Sequence, residues 1–215
     1  MKILALETSS SACSVALALE DEIRLDHQIA PMQQTKIILN SVDQLLKKAS
    51  LTLTDLDAIA FGSGPGSFTG VRIATSVAQG LGFAAGLPLI AISSLAALAQ
   101  TAFDTLGWKK IIVMTDARIG EVYYGVYEVN QHGLVQLKNK ELLSTPAKLE
   151  FPDTKDWYGV GNGWEVYQEQ ILYSPVKLDT TCLATAAAIA RLAQKGELKS
   201  ASEVEPVYLR NRVTD

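Results

Sequence analysis

The sequence predicts an α/β protein in which mixed sheets are flanked by helices. In the first half, three strand patterns are followed by alternating helix and strand patterns, in the order βββαβαβα. The second half restarts with strand patterns and looks like a shorter, degraded version of the first. A chain of 215 residues has the length of one large domain or of two small lobes.

The first thirty residues predict an antiparallel meander of three strands. Residues 3–6 are continuously apolar, residues 12–19 alternate weakly, and residues 22–30 alternate strictly between apolar and polar side chains. Because neighbouring side chains of a strand point to opposite faces, we expect the third strand to turn one apolar row toward a core. That row consists of Ile23, Leu25, His27 and Ile29.

Helices and strands alternate after Pro31. The spacing of apolar residues around Ile38 and Val42 predicts an amphipathic helix over about 36–49. A strand at 57–61, a helix at 69–85, a strand at 87–92 and a helix at 95–106 follow. Ser93 or Ser94 is the expected N-cap of the last helix.

The second half is predicted to contain strands at 111–115, 122–129 and 157–160. A helix is expected over 182–193, with Thr180 or Thr181 as its N-cap and Gly196 as its end. The tail from Glu203 onward has no periodicity and cannot be placed. Its aromatic and basic residues are Tyr208, Arg210 and Arg212.

Composition excludes several classes of protein. The net charge is −4, from 19 basic and 23 acidic residues, which argues against tight nucleic-acid binding by this chain alone. Cys13 and Cys182 match no zinc spacing, so we expect reduced thiols in a reducing compartment. The opening apolar run stops at Glu7, too early for a signal peptide. The uncharged stretch 73–103 is broken by glycines and a proline, which argues against a membrane span.

A glycine-rich segment at 61–72 lies between a predicted strand and a predicted helix. Gly64, Gly66, Ser67 and Thr69 could form an anion or nucleotide loop, since free amides at a helix N-terminus attract phosphate. Neither GxxxxGK[ST] nor GxGxxG fits, because Thr69 occupies the last position of the second pattern. The favoured alternative is a tight turn in which Ser67 or Thr69 caps the helix.

Small residues recur at every fourth position of that helix: Gly70, Ala74, Ala78 and Gly82. Such a ridge permits the close approach of another backbone. It indicates either packing onto the sheet beneath or docking to another subunit, and the spacing does not choose between them.

Two further segments have a functional and a structural interpretation. Asp116, Arg118 and Glu121 could perform acid–base chemistry, but a hairpin whose charges pair across its turn is the favoured interpretation. The glycine loop at 159–163 could hold a nucleotide, although it lacks Lys and Thr partners.

Four motifs together resemble the TsaB family. They are Glu7-Thr8-Ser9, the GPGSFTGVR segment at 64–72, the stretch 116–123 and the tail 205–211. The resemblance covers nearly the whole chain, with Glu7 where the family usually has Asp and Gln34 where it often has His. It implies an actin and sugar-kinase-like fold with lobes at 1–105 and 106–215, the segment 181–215 returning to the first lobe.

The resemblance also implies a function in the bacterial modification of tRNA with threonylcarbamoyladenosine. The chain would be a cytoplasmic, non-catalytic subunit that pairs with the catalytic paralogue TsaD, works with the ATPase TsaE and meets tRNA only through the complex. Without its partner it would form a homodimer. It would need no cofactor of its own. Residual binding of ATP or ADP at a subunit interface stays an open alternative. The expected interface residues are Ile38, Val42, Ala74, Val77, Ala78 and Leu81.

Catalytic metal ligands are missing from the positions where the paralogue has them. The paralogue holds its metal with an HxxxH pair, and the matching positions here are Ser94 and Leu98. The histidines of the chain, His27 and His132, belong to other elements. The main rival to a partner subunit is a stand-alone nucleotide-using enzyme of the sugar-kinase type. A metalloprotease-like enzyme ranks last.

Overall fold

A computed structural model describes residues 1–20, 22–154 and 156–210, which form two sheets with helices on and between them. The first sheet contains β1 (Ile3–Glu7), β2 (Ala12–Leu19), β3 (Glu22–Ile29), β4 (Ala58–Gly62) and β5 (Leu89–Ile92). The second contains β6 (Lys110–Arg118), β7 (Glu121–Val129), β8 (Val135–Leu137), β9 (Leu142–Ser144), β10 (Tyr158–Val160) and β11 (Leu178–Asp179). The helices are α1 (Gln34–Ala49), α2 (Phe68–Ala85), α3 (Ser94–Leu106), α4 (Gly163–Val166) and α5 (Ala186–Ala193).

The first sheet is mixed, with the strand order β3-β2-β1-β4-β5. The first three strands pair antiparallel, whereas β1, β4 and β5 pair parallel. Its outer face, formed by larger side chains such as Leu4, Ile59 and Phe61, packs against α1 and α2. Its inner face is rich in alanine, for example Ala5 and Ala60, and packs against α3 and α5. Small inner side chains let these helices approach the sheet closely.

The second sheet has the order β11-β10-β6-β7-β8, with β9 also paired to β7. Ile111 and Val113 of β6 join the inner core between the two sheets. Ile112 and Met114, on the other face of the same strand, pack in a separate aromatic core with Trp164 and other side chains. Because successive side chains of β6 point to opposite faces of the sheet, this one strand contributes to two cores.

The structure confirms the predicted α/β class and the order βββαβαβα of the first half. The Ser67 hydroxyl caps α2 and the Ser93 hydroxyl caps α3, which decides between the alternatives left open above. None of the helices in the part of the chain that the structure describes is long and apolar enough to cross a membrane.

The start predicted for the last helix is wrong. The Asp179 carboxylate accepts hydrogen bonds from the amides of Thr181 and Cys182, both at 2.9 Å, and holds this segment in a turn. Helix α5 therefore begins only at Ala186, and its N-cap is Thr185, whose hydroxyl accepts from the Ala188 amide at 3.3 Å.

The expectation that the apolar row of β3 faces a core is also wrong. Ile29 is 64% exposed, and Ile23 and Leu25 are exposed as well. The reason is that β3 is the edge strand and α5 packs mainly over β1 and β2. His27, in the same row, is half-buried, and this burial lowers the pKa of its imidazole.

Candidate functional site

The glycine-rich loop between β4 and α2 is a tight turn whose backbone groups bond inside the protein. The Gly64 amide donates to the Ser94 hydroxyl at 3.3 Å, and the Gly64 carbonyl accepts from the Ser94 amide at 2.9 Å. Gly64 has a φ of 94°, which glycine adopts without strain. The Ser67 hydroxyl accepts from the Gly70 amide at 3.4 Å. These contacts favour the capping turn, and the anion site stays a prediction.

The other residues of that predicted site, Gly66 and Thr69, have different surroundings. A Cβ on Gly66 would lie 2.7 Å from the Cβ of Ser9, so close packing requires glycine here, whereas Thr69 is exposed. At Gly70 a Cβ would lie only 2.0 Å from the carbonyl oxygen of Thr8. The Thr8 hydroxyl also donates to the Gly70 carbonyl at 2.6 Å. The segment therefore holds α2 against the end of β1.

Glu7 is a buried carboxylate that connects the end of β1 to α3. It accepts hydrogen bonds from the Ser9 amide at 2.5 Å and from the Ser94 hydroxyl at 2.9 Å. Burial raises the pKa of the Glu7 carboxyl, and the hydrogen bonds oppose that rise only in part. A Cβ on Gly62 would lie 2.0 Å from Glu7 Oε2, so the adjacent strand leaves room for this side chain. Glu7 joins elements of the fold and does not face solvent.

The ridge of small residues on α2 packs onto the chain's own sheet. Ala74 and Ala78 are fully buried, and a Cβ on Gly82 would lie 2.7 Å from the Leu89 side chain. Ile38 and Val42, which belong to the predicted interface together with these alanines, are buried in the same outer core. The sheet occupies the ridge, which favours the first of the two interpretations, and docking through these residues stays a prediction.

An apolar groove lies between α1 and α2 on the side away from the sheet. Its volume is about 420 Å³. Leu39 on α1 is 54% exposed, and Phe68 at the start of α2 is 44% exposed. Val77 lines the groove and Leu81, one turn further along α2, is partly buried. Val77 thus borders the groove, whereas both side chains also pack against the outer core of the first sheet.

The cluster Asp116, Arg118 and Glu121 lies at the tip of the β6–β7 hairpin. The Asp116 carboxylate pairs with the Arg118 guanidinium at 3.2 Å and accepts from the Tyr167 hydroxyl at 2.9 Å. Glu121 pairs with Arg210 of the tail at 2.6 Å. The hairpin is present, but only the first of these pairs is formed within it, and every charge of the cluster is used in a structural contact.

Residues 201–210 form an extended segment, here named the C-terminal strap, that the sequence did not place. At its start, Val204 is buried in the outer core, and the Gln79 side chain donates to the carbonyls of Ala201 and Val204 at 3.2 and 3.0 Å. Further along, the Val207 amide donates to the Ser63 carbonyl at 2.7 Å. The strap is thus attached both to α2 and to the glycine-rich loop.

The end of the strap reaches the second sheet. The Tyr208 hydroxyl accepts from Arg72 Nε at 3.0 Å, and the Arg210 guanidinium contacts both Glu121 and the carbonyls of Ala117 and Arg118. None of these pairs has a sequence signal, because their members are far apart in the chain. Asn211, the last residue of the tail motif, and Arg212, one of the basic residues of the tail, lie outside the described residues.

A cleft of about 920 Å³ opens between the two sheets and is bordered by the glycine-rich loop, the hairpin tip and the strap. The loop at 159–163 is at its second-sheet side. A Cβ on Gly161 would lie 2.4 Å from the Met114 carbonyl oxygen, and the Asn162 side chain accepts from the Asp116 amide at 3.0 Å. These glycines serve the close packing of the loop on β6.

The positions that match the paralogue's metal ligands are part of the core. Ser94 bonds to Glu7, and Leu98 is buried beside the inner face of the first sheet. Within residues 1–20, 22–154 and 156–210, no group of three His, Cys, Asp or Glu side chains comes together as a metal-ligand set. Cys13 and Cys182 are free thiols, and burial raises their pKa values to about 11 and about 12.

The family model that matches the chain is described as TsaD: tRNA N6-adenosine threonylcarbamoyltransferase, and the match extends over residues 28–212. Together with the two helix-flanked sheets, this match defines the class: an α/β protein related to TsaD.

The relatives of the chain show which family within this class it belongs to. The tRNA threonylcarbamoyladenosine biosynthesis protein TsaB of Escherichia coli K12 is 35% identical, over 99% of this chain and 96% of that protein. The protein of the same name from Haemophilus influenzae is 36% identical, over 100% and 95%. YeaZ from Pseudomonas aeruginosa has a solved structure that is 42% identical and superposes with a TM-score of 0.91, over 97% of this chain and 99% of that one. The chain belongs to the TsaB family.

A second structure from Pseudomonas aeruginosa is described as an uncharacterized protein with similarity to peptidase YEAZ. It is 41% identical and has a TM-score of 0.93, with 97% of this chain and 99% of that chain covered. The two solved structures and the family match confirm the family resemblance and the α/β fold with two helix-flanked sheets.

Proposed function

We propose that this chain is a non-catalytic, cytoplasmic subunit in the biosynthesis of tRNA threonylcarbamoyladenosine. It binds a TsaD-like catalytic paralogue through α1 and α2, works with a TsaE-like ATPase, and contacts tRNA only as part of the complex. In the absence of the paralogue, two copies pair through the same helices. The names of its full-length relatives in Escherichia coli and Haemophilus influenzae support the place in this biosynthesis.

The observation that carries the docking proposal is the apolar groove between α1 and α2. Apolar side chains on the surface of a helix pair are typical of a protein–protein interface when they are contiguous. Phe83, on the same helix as Val77 and Leu81, is 86% exposed and extends the apolar surface of α2. We propose that Val77 and Leu81 contact the partner.

The non-catalytic role is supported by the way the polar residues of the chain are used. Glu7, Asp116 and Glu121 are held in internal hydrogen bonds or ion pairs. Ser94 and Leu98, at the positions of the paralogue's metal ligands, offer no nitrogen to a metal. We further propose a division into lobes at 1–105 and 106–215. The packing of α5 and of the strap onto the first sheet supports a return of the segment 181–215 to the first lobe.

Reconstitution tests the function as a whole. A mixture of the paralogue, the ATPase, tRNA and the activated threonylcarbamoyl donor is assayed for modified tRNA with this chain added and with it left out. We expect product only when the chain is added, and none from the chain by itself. Equal product without the chain would contradict the proposed function.

A substitution in the groove tests the docking surface. We expect Val77→Arg to abolish the complex with the paralogue, because a charge would be buried without a partner. The matched control is Val166→Arg on α4, where the valine is exposed and distant from the groove. Binding is measured by calorimetry, and circular dichroism checks that both variants fold. Wild-type affinity in a folded Val77→Arg variant would remove α2 from the interface.

The cleft between the sheets favours one second candidate, a stand-alone nucleotide-using enzyme of the sugar-kinase type. Its volume of about 920 Å³ is enough for a nucleotide. Calorimetry of the isolated chain with ATP and ADP distinguishes the candidates. Micromolar binding would favour the enzyme, and its absence the partner subunit.

A further inference from the structure

Arg72, at one end of the groove, is held in place by two aromatic residues. Its guanidinium carbon lies 3.8 Å from the centre of the Phe68 ring, a cation–π contact. Its Nε donates to the Tyr208 hydroxyl of the strap at 3.0 Å. The Phe68 and Tyr208 rings are themselves neighbours, with their centres 5.7 Å apart. The strap and the first turn of α2 together thus fix the direction of one exposed cation.

The stretch of sequence around Arg72 contains no opposite charge. Arg72 is the only charged residue between positions 58 and 103. Among the residues that the structure describes, it forms no ion pair, and its hydrogen bond to Tyr208 uses only Nε. A planar guanidinium whose terminal nitrogens are available binds a carboxylate through two parallel hydrogen bonds.

We propose that the groove binds an amphipathic helix of the partner and that Arg72 binds an aspartate or glutamate on that helix. Apolar side chains of the helix enter the groove beside Ile73 and Val77, which line it together with Arg72. Tyr208 is a positioning residue that holds the guanidinium toward the carboxylate. The inference rests on the proposed function, in which the TsaD-like paralogue supplies this helix.

Charge complementarity indicates that the partner which binds the groove most tightly is a different chain and not a second copy of this one. Helix α2 contains no acidic residue, and α1 contains only Asp43, whose carboxylate already pairs with Lys47 at 2.7 Å. A second copy that places α1 and α2 on the groove therefore brings no available carboxylate to Arg72. The homodimer then depends on the apolar contacts alone, whereas the heterodimer has the ion pair in addition.

Calorimetry of the full chain against the TsaD-like paralogue tests the inference. We expect Arg72→Gln to weaken binding by about tenfold or more, as expected for a lost hydrogen bond to a charged group. Tyr208→Phe keeps the ring and loses only the hydroxyl that positions the guanidinium, so we expect a smaller loss of about threefold, because Arg72 itself can still reach the carboxylate. The control Lys177→Gln removes one exposed positive charge from the second sheet and is expected to leave the affinity unchanged.

A charge exchange identifies the partner's carboxylate. Arg72→Glu is combined in turn with paralogue variants in which one surface Asp or Glu is replaced by Arg. Recovery of binding with one of these variants, and with no other, supports the inference. Sedimentation of Arg72→Gln alone is expected to show unchanged self-association, because the homodimer does not use this charge.

The outcomes separate this inference from the proposed function. If folded Arg72→Gln binds the paralogue like the wild type while Val77→Arg does not bind, the carboxylate contact is wrong and the docking surface stands. If both variants bind like the wild type, the docking surface fails too. If Arg72→Gln weakens self-association as much as it weakens paralogue binding, a second copy is the occupant and the inference is overturned.

Discussion

The two faces of the first sheet are covered in different ways. On the inner face, α3 and α5 lie between two sheets, and the residues of α5 that face the core, such as Ala188 and Ile189, are almost completely buried. On the outer face, α1 and α2 pack on the sheet with one side only, and Leu39 and Phe83 remain exposed on the other. The helices on the inner face are thus buried by other parts of the chain, whereas the helices on the outer face keep apolar side chains exposed on their far side.

This difference separates residues that stabilise the fold from residues available to a partner. The sheet-facing side of α2, with Ala74 and Ala78, belongs to the fold although its small residues are typical of helix docking. The side with Arg72 and Val77 borders the groove, although Val77 also packs against the outer core. The proposed docking would therefore use the groove side of α2, and the fold its sheet-facing side.

The largest expected effect contrasts one truncation on each face. Ile189→Ala on α5 removes fully buried methyl groups, so we expect the free energy of unfolding to fall by about 2–5 kcal/mol. Leu39→Ala on α1 removes a half-exposed side chain, so we expect a loss of about 0.5 kcal/mol or less. Urea denaturation of both variants measures these values. Equal losses would mean that the outer face is as complete as the inner one.

A smaller effect is expected from two glycines of α2. Gly70→Ala places a Cβ 2.0 Å from the Thr8 carbonyl oxygen, a backbone atom that cannot move away, so we expect a destabilisation of about 1–3 kcal/mol. Gly80→Ala meets no atom within 4 Å and lies inside the helix, so we expect a stabilisation of about 0.5–1 kcal/mol. Thermal and urea unfolding of both variants check the opposite signs. Changes of the same sign in both variants would contradict the assignment of Gly70 to the packed side of α2 and of Gly80 to its open side.

The smallest expected effect concerns Glu7, which lies in the inner-face row of β1 with Ile3 and Ala5. Because its folded-state pKa is raised above the ordinary value of 4.5, the folded state binds a proton more tightly than the unfolded state does. The stability that this proton contributes is present below pH 4.5 and is lost as the pH rises through the folded-state pKa. Glu7→Gln is expected to remove this loss.

Urea denaturation of both proteins between acidic and neutral pH measures the Glu7 effect. The wild-type free energy of unfolding should decrease relative to that of Glu7→Gln as the pH rises. Parallel curves would show that the Glu7 carboxyl has the same pKa in the folded and the unfolded state.

Hydrophobic periodicity was enough to predict the strands and helices of the first half, because each of them either belongs to the first sheet or packs on it. It failed at β3, where the apolar row is correctly identified but Leu25 and Ile29 stay exposed. A pattern shows which side chains share a face and not whether another element reaches that face. It failed again before α5, where the Asp179 carboxylate forms a turn that competes with helix.

The candidate site was predictable only in part. The spacing of apolar residues located α1 and α2, and Val77 borders the groove between them. The spacing could not show which other members of the predicted interface face the sheet, because that depends on where the sheet lies. The contact of Arg72 with Tyr208 joins residues more than a hundred positions apart, and no local pattern connects them. The lobe boundary at 105 and the anion loop stay predictions.

The C-terminal strap has a consequence for the genetics of this protein. A premature stop in place of Ala201 leaves residues 1–200 unchanged, so it is easily classed as a mild change. The truncated protein would lack the buried Val204 side chain, the tyrosine that holds Arg72 and the arginine that reaches the hairpin tip. Such an allele is expected to behave like a loss of function, although every strand and every helix described above would still be encoded.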